Sequence, residues 1–174
     1  MTAADLIELL SDAPRPGAST ATPGAPPPAA LLSLVDDLAV ARAVADGLPL
    51  TALRRLTTAD PADGGLTPGE MERWVIPRRT LTKRRARRQR LSLEESNRLA
   101  RFARVLTAAI EAFGGDPSRR GDADTRESMR RAAGWLRAPH RALDGEIPLA
   151  LCTTDAGARI VEEALGRIAY GVFA

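Results

Sequence analysis

The chain has 174 residues and a net charge of +3, and 44% of its residues are hydrophobic but only 3% are aromatic. This length suits one or two small domains, and the abundance of Ala and Leu favours an all-α fold. The only cysteine, Cys152, excludes an intrachain disulfide and indicates a reducing cytoplasm. The sequence contains no secretory signal and no apolar run of membrane-spanning length, so we expect a cytoplasmic protein without membrane contact.

Residues 1–30 are predicted to form a flexible N-terminal segment outside the folded core. Residues 12–30 contain six Pro and two Gly, a composition typical of a semi-extended linker. Residues 1–11 have helical apolar spacing, but so short a helix is marginal on its own because nucleation is costly.

The folded part is predicted to begin near Leu31 with a helix that stops at Gly47. A second helix is predicted over residues 48–59, and a turn over residues 60–65. The apolar face of the first helix is predicted to contain Leu34, Leu38 and Val44.

Two capping boxes, Thr67 to Glu70 and Ser92 to Glu95, mark the starts of two further helices. The first box predicts a short helix from Pro68 to about Trp74, and the second predicts a long helix from Leu93 to Phe113. The apolar stripe of the long helix predicts a core face, with a dimer seam as the alternative. The stripe consists of Leu99, Phe102, Ala103, Leu106, Ile110 and Phe113.

The most unusual stretch runs from Arg78 to Arg90, with eight Lys and Arg in thirteen positions and no acidic residue. Since the whole chain is only +3, the other residues sum to −5. The order of elements here is that of a helix-turn-helix: a short helix, a connection at residues 75–76, and a basic helix beginning at Pro77. The second helix of such a motif enters the major groove of DNA. Leu81 is expected to dock this second helix on the core.

The expected DNA contacts fall into two groups along that basic helix. The first turns are where base edges are read, and later positions are better placed for the sugar-phosphate backbone. We assign Arg78, Arg79, Thr80 and Lys83 to the first group, and Arg84, Arg85, Arg87 and Arg88 to the second. An RNA-binding arm normally brings aromatic residues for base stacking, but residues 75–101 contain none, which weighs against that alternative. A membrane-binding helix would need an apolar face, which the basic stretch lacks.

A polar loop over residues 116–124 is predicted to separate a DNA-binding domain, residues 31–115, from a second domain, residues 122–174. Helix is predicted to resume at Thr125 with Asp124 as its cap. A Pro- and Gly-containing corner follows, and a last helix is predicted to start after Thr153 and Thr154 and to continue to about Tyr170. Its buried face is predicted to contain Ile160, Val161, Ala164, Leu165 and Ile168.

The residues with reactive side chains form no catalytic or metal-binding pattern. His140, the only histidine, is interpreted as a structural turn residue, and Cys152 as a buried thiol. One His and one Cys are too few for a metal site. Trp74 and Trp135 are interpreted as core anchors. We therefore expect a protein that is not an enzyme and needs no cofactor.

The C-terminal sequence from residue 132 to residue 174 resembles the toxin-binding domain of the MbcA/ParS/Xre antitoxin family. The matching positions are Trp135, Leu136, Pro139, Leu143, Gly145, Pro148, Leu151, Thr154, Gly157, Val161, Leu165, Ile168 and Gly171. Residues 47–115 resemble the Xre-like helix-turn-helix that precedes this domain in the family. Two positions depart from the family pattern, because His140 stands where Asn is common and Val75 stands where a turn Gly is usual.

The resemblance implies an antitoxin of a type II toxin–antitoxin system. Its partner would be a RES-domain toxin that consumes NAD, by degradation or by ADP-ribosyl transfer, and the protein would also repress its own promoter. The alternative is a helix-turn-helix transcription regulator whose C-terminal module only dimerises or binds another protein. An RNA-binding accessory protein is a third interpretation.

The resemblance also implies where the toxin binds. The last helix ends near Gly171, and Val172 and Phe173 either fold back onto the core or face a partner. In the second case they would enter the NAD site of the toxin, with the carboxylate of Ala174 in place of a phosphate. The expected blocking element is Arg167, Tyr170, Val172, Phe173 and Ala174, with Arg159 and Glu163 as supporting contacts.

A homodimer is expected as well. A helix-turn-helix protein that reads two half-sites is normally a two-fold dimer. The apolar surface of the helices over residues 93–113 and 154–170 looks too large for a single protomer to bury.

Overall fold

A computed structural model describes residues 38–119 and 121–171 of the chain. Within those ranges the protein is all-α, as predicted; the only extended pairing is an isolated β-bridge between Thr57 and Leu66. Short 3₁₀ helices occur at Pro61–Asp63, Pro117–Arg119 and Arg141–Leu143. The α-helices are α1 (residues 38–45), α2 (Leu50–Leu56), α3 (Pro68–Trp74), α4 (Arg78–Ala86), α5 (Leu93–Ala112), α6 (Ala123–Arg137), α7 (Pro148–Leu151) and α8 (Asp155–Ala169). The predicted N-terminal segment, residues 1–30, and Leu34 lie outside the described residues.

Helix α5 is the central element, and both α6 and α8 pack on it. It begins at the predicted capping box: Ser92 Oγ accepts from the Glu95 backbone N–H at 3.2 Å, and Glu95 Oε2 accepts from the Ser92 N–H at 2.8 Å. It ends at Ala112, with Phe113 at the C-cap and then Gly114 with φ +83°. The predicted stripe is buried along its length except at Phe113, which is half-buried. The core interpretation of the stripe is therefore confirmed.

One hydrophobic core runs through both halves of the chain. It extends from Val44 in α1 to Leu165 in α8, with Phe102 of α5 completely buried. The Trp74 ring stacks on Phe102 with centroids 5.8 Å apart, which confirms Trp74 as a core anchor. The apolar core is continuous on both sides of the polar loop over residues 116–124, where the sequence predicts a domain boundary.

Two apolar residues that the sequence placed in helical apolar patterns are exposed, and one of them, Ile160, was predicted to be buried. Leu38 is 50% exposed, because it lies six residues from Val44 and therefore on a different side of α1. Ile160 is 48% exposed, since the buried stripe of α8 follows Val161, Ala164 and Leu165, and Ile160 lies at the edge of that stripe.

Two helix boundaries also differ from prediction. Helix α6 begins at Ala123 with Asp122 at the N-cap, so Asp124 lies in the first turn and does not cap. A carboxylate there still favours the helix because it faces the positive end of the helix dipole. Helix α2 covers only Leu50–Leu56, because Thr57 turns into extended backbone, with ψ 128°, and pairs with Leu66.

None of the helices in residues 38–119 and 121–171 combines the length and the hydrophobicity that a membrane span needs.

Candidate nucleic-acid interface and protein-binding face

Helices α3 and α4 are joined by the three residues 75–77, a length found in helix-turn-helix motifs. Helix α3 begins at its predicted capping box, where Glu70 Oε2 accepts from the Thr67 N–H at 2.8 Å. Helix α4 begins after Pro77, whose ring fixes the φ of −57° that the helix entry has. The predicted order of short helix, turn and basic helix is confirmed.

Val75 fits the turn without strain. Its φ of −109° and ψ of −61° lie in the right-handed region, so the turn needs no glycine. Val75 and Ile76 are each only 1% exposed and belong to the core. The connection is therefore held by buried side chains, which fixes how α4 leaves α3.

Helix α4 presents most of its positive charge to solvent. None of its residues is fully buried, and the inward side is formed by the half-buried Thr80, Leu81 and Arg84. Leu81 packs against the core as predicted. The exposed basic residues of the helix are Arg78, Arg79, Lys83 and Arg85. Since α4 contains no acidic residue, this face concentrates positive charge where phosphate oxygens could approach.

The positive surface continues beyond the end of α4. The Arg88 N–H donates to Arg85 O at 3.2 Å and the Gln89 N–H donates to Arg84 O at 3.0 Å, the pair of bonds that defines a Schellman motif. Arg88 has φ +52°, a conformation usually given to glycine. Arg87 and Arg88 are both exposed, so the chain turns back with two cations on the surface.

Arg84 differs from the other basic residues because it makes intramolecular contacts. Its Nε lies 2.7 Å from Glu95 Oε2, a contact that is electrostatic because the Nε–H makes no directed hydrogen bond. Its Nη2 donates to Glu95 Oε1 at 3.1 Å and its Nη1 donates to Arg90 O at 3.0 Å. The side chain is only 21% exposed. The sequence could not indicate this pair, because its partner belongs to the next helix.

A second exposed face lies along α8. Arg159, Glu163, Arg167 and Tyr170 recur at intervals of three and four residues and are all exposed, with Tyr170 at 85%. The fold therefore places the four described members of the predicted toxin-binding set on one helix face. Val172, Phe173 and Ala174 lie outside the described residues. The exposed Ile160 adds an apolar side chain beside Arg159 that sequence reasoning had assigned to the core.

The corner between α6 and α7 is built around His140. Its Nε2 lies 2.7 Å from Trp135 O, and its ring stacks on the Trp135 indole with centroids 4.7 Å apart. The backbone N–H of Gly145 donates to His140 O at 2.9 Å. The interpretation of His140 as a structural turn residue is confirmed, and Trp135 acts as an anchor that packs partly against the core.

Cys152 is fully buried and its Sγ donates to Pro148 O at 3.2 Å, which confirms it as a structural thiol. Burial, with a smaller effect from Glu162, raises the pKa of this thiol to about 12. A thiol with such a pKa is a poor nucleophile at neutral pH. Among the described residues, no group of His, Cys, Asp and Glu could hold a metal ion.

The geometry defines a helix-turn-helix protein with a second helical module packed on the same core. Comparison with known families agrees with that division. The antitoxin Xre-like helix-turn-helix domain matches residues 39–104, and the antitoxin Xre/MbcA/ParS C-terminal toxin-binding domain matches residues 108–171. The first match ends and the second begins within helix α5.

Several curated relatives support the same assignment. An antitoxin Xre of Pseudomonas putida is 36% identical over 138 residues, which cover 79% of this chain and 76% of the relative. An antitoxin Xre of Yersinia enterocolitica is 41% identical over 98 residues, which cover 56% of this chain and 58% of the relative. This chain therefore spans less than two thirds of the length of that relative. A Sphingobium protein named Prs ADP-ribosylating antitoxin is 26% identical over 154 residues. The chain belongs to the Xre/MbcA/ParS antitoxin family.

Proposed function

We propose that this protein is an antitoxin that binds and blocks the active site of a NAD-consuming RES-domain toxin, and that it also binds its promoter as an autorepressor in the cytoplasm. The observation that carries the proposal is that one chain combines an Xre-like helix-turn-helix domain with a toxin-binding domain of the same antitoxin family. The name of the Sphingobium relative refers to ADP-ribosylation, a reaction that consumes NAD.

The DNA-binding part of the proposal rests on the exposed cations of α4 and the turn after it. Arg78, Arg79 and Lys83 lie on the outward side of α4, with Thr80 half-buried beside them, and are proposed to reach base edges. Arg85, Arg87 and Arg88 are exposed farther along and are proposed to hold phosphates.

The test is the salt dependence of binding to a duplex carrying the promoter region of the protein's own gene. With four to six phosphates neutralised per protomer, the slope of log K against log salt should be about −4 to −5. Replacing Arg87 and Arg88 by Ala should weaken binding to all duplexes and flatten the slope. Replacing Arg79 or Lys83 should instead change sequence preference, at about 1–3 kcal/mol per lost base contact. A slope near zero for the intact protein would contradict DNA binding.

The toxin-binding part rests on the exposed face of α8. Arg159, Glu163, Arg167 and Tyr170 are proposed to contact the toxin, with Val172, Phe173 and Ala174 as the residues that block its NAD site. Large exposed side chains such as Tyr and Arg are the residue types that most often dominate the binding energy of protein interfaces. The RES-domain toxin is expected to be encoded beside this protein, and co-purification of the two tests their association. The competing interpretation, a transcription regulator that binds no toxin, predicts no such complex.

A homodimer is proposed as the DNA-binding form. The helices α5 and α8 pack against one another, which buries much of the apolar surface that first suggested a dimer. Leu93 on α5 and Ile160 on α8 remain 56% and 48% exposed. These two side chains are the candidate contacts on the helical surfaces expected to hold the dimer.

A further inference from the structure

Within helix α4, Arg84 is the basic residue that points inward. Thr80, Leu81 and Arg84 form one side of the helix, while Arg78, Arg79, Lys83 and Arg85 are exposed. Leu81 gives this side its only apolar contact with the core. Helix α4 has no buried residue and no side-chain hydrogen bond at its N-cap. Beyond the buried turn at its start, one leucine is a weak anchor for the rest of a helix whose orientation must be fixed if its side chains are to reach particular bases.

Arg84 provides the second anchor, on Glu95. The Glu95 side chain is only 11% exposed and already closes the capping box of α5 through the Ser92 N–H. Its two oxygens also face the Arg84 guanidinium, at 2.7 Å from Nε and 3.1 Å from Nη2. Arg84 therefore ties the end of α4 directly to the first turn of α5, the central helix of the core.

The same guanidinium also holds the chain that returns from α4. Arg84 Nη1 donates to Arg90 O at 3.0 Å, and Arg90 Nε donates in turn to Gly47 O. Next to it, the Leu91 N–H donates to Leu48 O at 2.9 Å. The orientation of α4 is thereby linked to the turn that follows α1 as well as to α5.

A phosphate contact by Arg84 would break this arrangement. Moving the guanidinium to DNA would leave the Glu95 carboxylate nearly buried without its cation, which is costly. It would also place an uncompensated negative charge behind the DNA-facing helix, where it would repel phosphates. The charge of Arg84 is already neutralised, so it should release no counterion when DNA binds.

We propose that Arg84 and Glu95 are positioning residues for sequence-specific DNA binding, and that Arg84 does not contact DNA itself. The ion pair fixes the angle of α4 on α5, and the exposed cations then meet their bases and phosphates in register. This inference rests on the proposed DNA-binding function. It predicts that an acidic residue, Glu95, is needed for tight binding to a polyanion.

The experiment compares Arg84→Met, Glu95→Gln and the exposed control Arg85→Met in the full chain. Affinities are measured over a range of salt for a duplex carrying the protein's own promoter region and for a random-sequence duplex of equal length. Gln can replace Glu in a capping box, so Glu95→Gln keeps the start of α5. Thermal unfolding followed by circular dichroism confirms that each variant is folded.

We expect the ratio of promoter to random-duplex affinity to fall about tenfold in Arg84→Met and in Glu95→Gln, with the salt slope of Arg84→Met unchanged. The double variant should be no worse than either single variant, because both remove one pair. Arg85→Met should instead weaken both duplexes and reduce the slope by about 0.9 per protomer.

Two results would overturn the inference while leaving DNA binding intact. One is a loss of slope in Arg84→Met equal to that in Arg85→Met, and the other is tighter promoter binding in Glu95→Gln with the ratio unchanged. If Arg85→Met alters neither affinity nor slope, the proposed DNA-binding surface itself is wrong.

Discussion

The two capping-box glutamates, Glu70 and Glu95, each close a helix start and also pair with an arginine from another helix. Glu70 receives Arg137 Nε on Oε1 and Arg137 Nη2 on Oε2, both at 2.8 Å. Arg137 Nη2 also donates to Gly65 O at 3.0 Å. Arg137 lies at the end of α6, within the part of the chain that matches the toxin-binding domain, so this pair fastens that domain to the first helix of the helix-turn-helix.

Replacing Arg137 by Met should lower the free energy of unfolding by about 2–3 kcal/mol at neutral pH, because a bidentate, largely buried pair loses its cation. The exposed Arg141, replaced by Met, is a matched control that should change it little. Urea unfolding measures the free energy of unfolding of both variants. Equal stability of the two variants would contradict a structural role for the pair.

The same pair makes stability depend on pH. Partial burial acts to raise the pKa of Glu70, but hydrogen bonds from Arg137 and Thr67 outweigh it, and the pKa lies below its usual 4.5. A depressed folded-state pKa gives stability that is present above the unfolded value and is lost as the pH falls through the folded one. Between pH 7 and about pH 3.5, the wild type should therefore lose more stability than the Arg137→Met variant. Identical losses would contradict this linkage.

Helix α8 owes its position to a close approach that requires glycine. A Cβ on Gly157 would lie 2.1 Å from Leu151 O, in the backbone of α7, whereas a Cβ on Gly166 would meet nothing within 4 Å. Thr154 caps the helix by accepting from the Gly157 N–H at 3.0 Å. The first turn of α8 is thus pressed against the end of α7, which sets where the exposed face of α8 lies.

Gly157→Ala and Gly166→Ala should have opposite effects. The first must displace backbone and is expected to destabilise the protein by about 2 kcal/mol or more. The second places Ala in a helix interior and should stabilise it by up to about 1 kcal/mol. Thermal unfolding of the two variants measures both changes in stability. A Gly157→Ala variant as stable as the wild type would contradict the observed packing of α7 on α8.

Sequence patterns predicted the helices well because their starts are local. Thr67 and Ser92 each cap within three residues, and the structure confirms both; it shows a similar cap at Thr154. Patterns failed where a side chain's environment depends on distant residues. Leu38 and Ile160 are apolar but lie outside the buried stripes. Arg84 was predicted to contact the DNA backbone, like its basic neighbours, because the sequence does not show that Glu95 lies beside it.

At the scale of the whole molecule, the positions of the proposed binding residues were only partly predictable. The exposed basic face of α4 and the exposed face of α8 follow from charge and helical spacing. The sequence does not predict that both faces share one core. Helix α5 contributes to the core of both halves, whereas the sequence suggests a domain boundary after it.

The proposed homodimer is tested by light scattering on a protein that starts at Leu31, with Leu93→Glu and Ile160→Glu as variants. Leu93 borders a groove of about 510 Å³ between α1, α5 and the start of α8, whereas Ile160 lies on the outward side of α8. A dimer at micromolar concentration is expected, and a charge at the true interface should dissociate it. A monomer in this form, with a dimer only at full length, would contradict an interface made by the helical surfaces.

The most direct measurement is the rate of NAD loss when the proposed partner, a RES-domain toxin expected to be encoded beside this protein, is mixed with an equimolar amount of this protein. We predict that the intact protein stops NAD loss, and that the Arg87→Ala/Arg88→Ala variant does so equally well, because its changes are on the proposed DNA-binding surface. Deletion of residues 171–174, or replacement of Arg167 and Tyr170 by Ala, should leave the protein folded but NAD loss unchecked. Undiminished NAD loss in the presence of the intact, folded protein would contradict its proposed role as the antitoxin of this toxin.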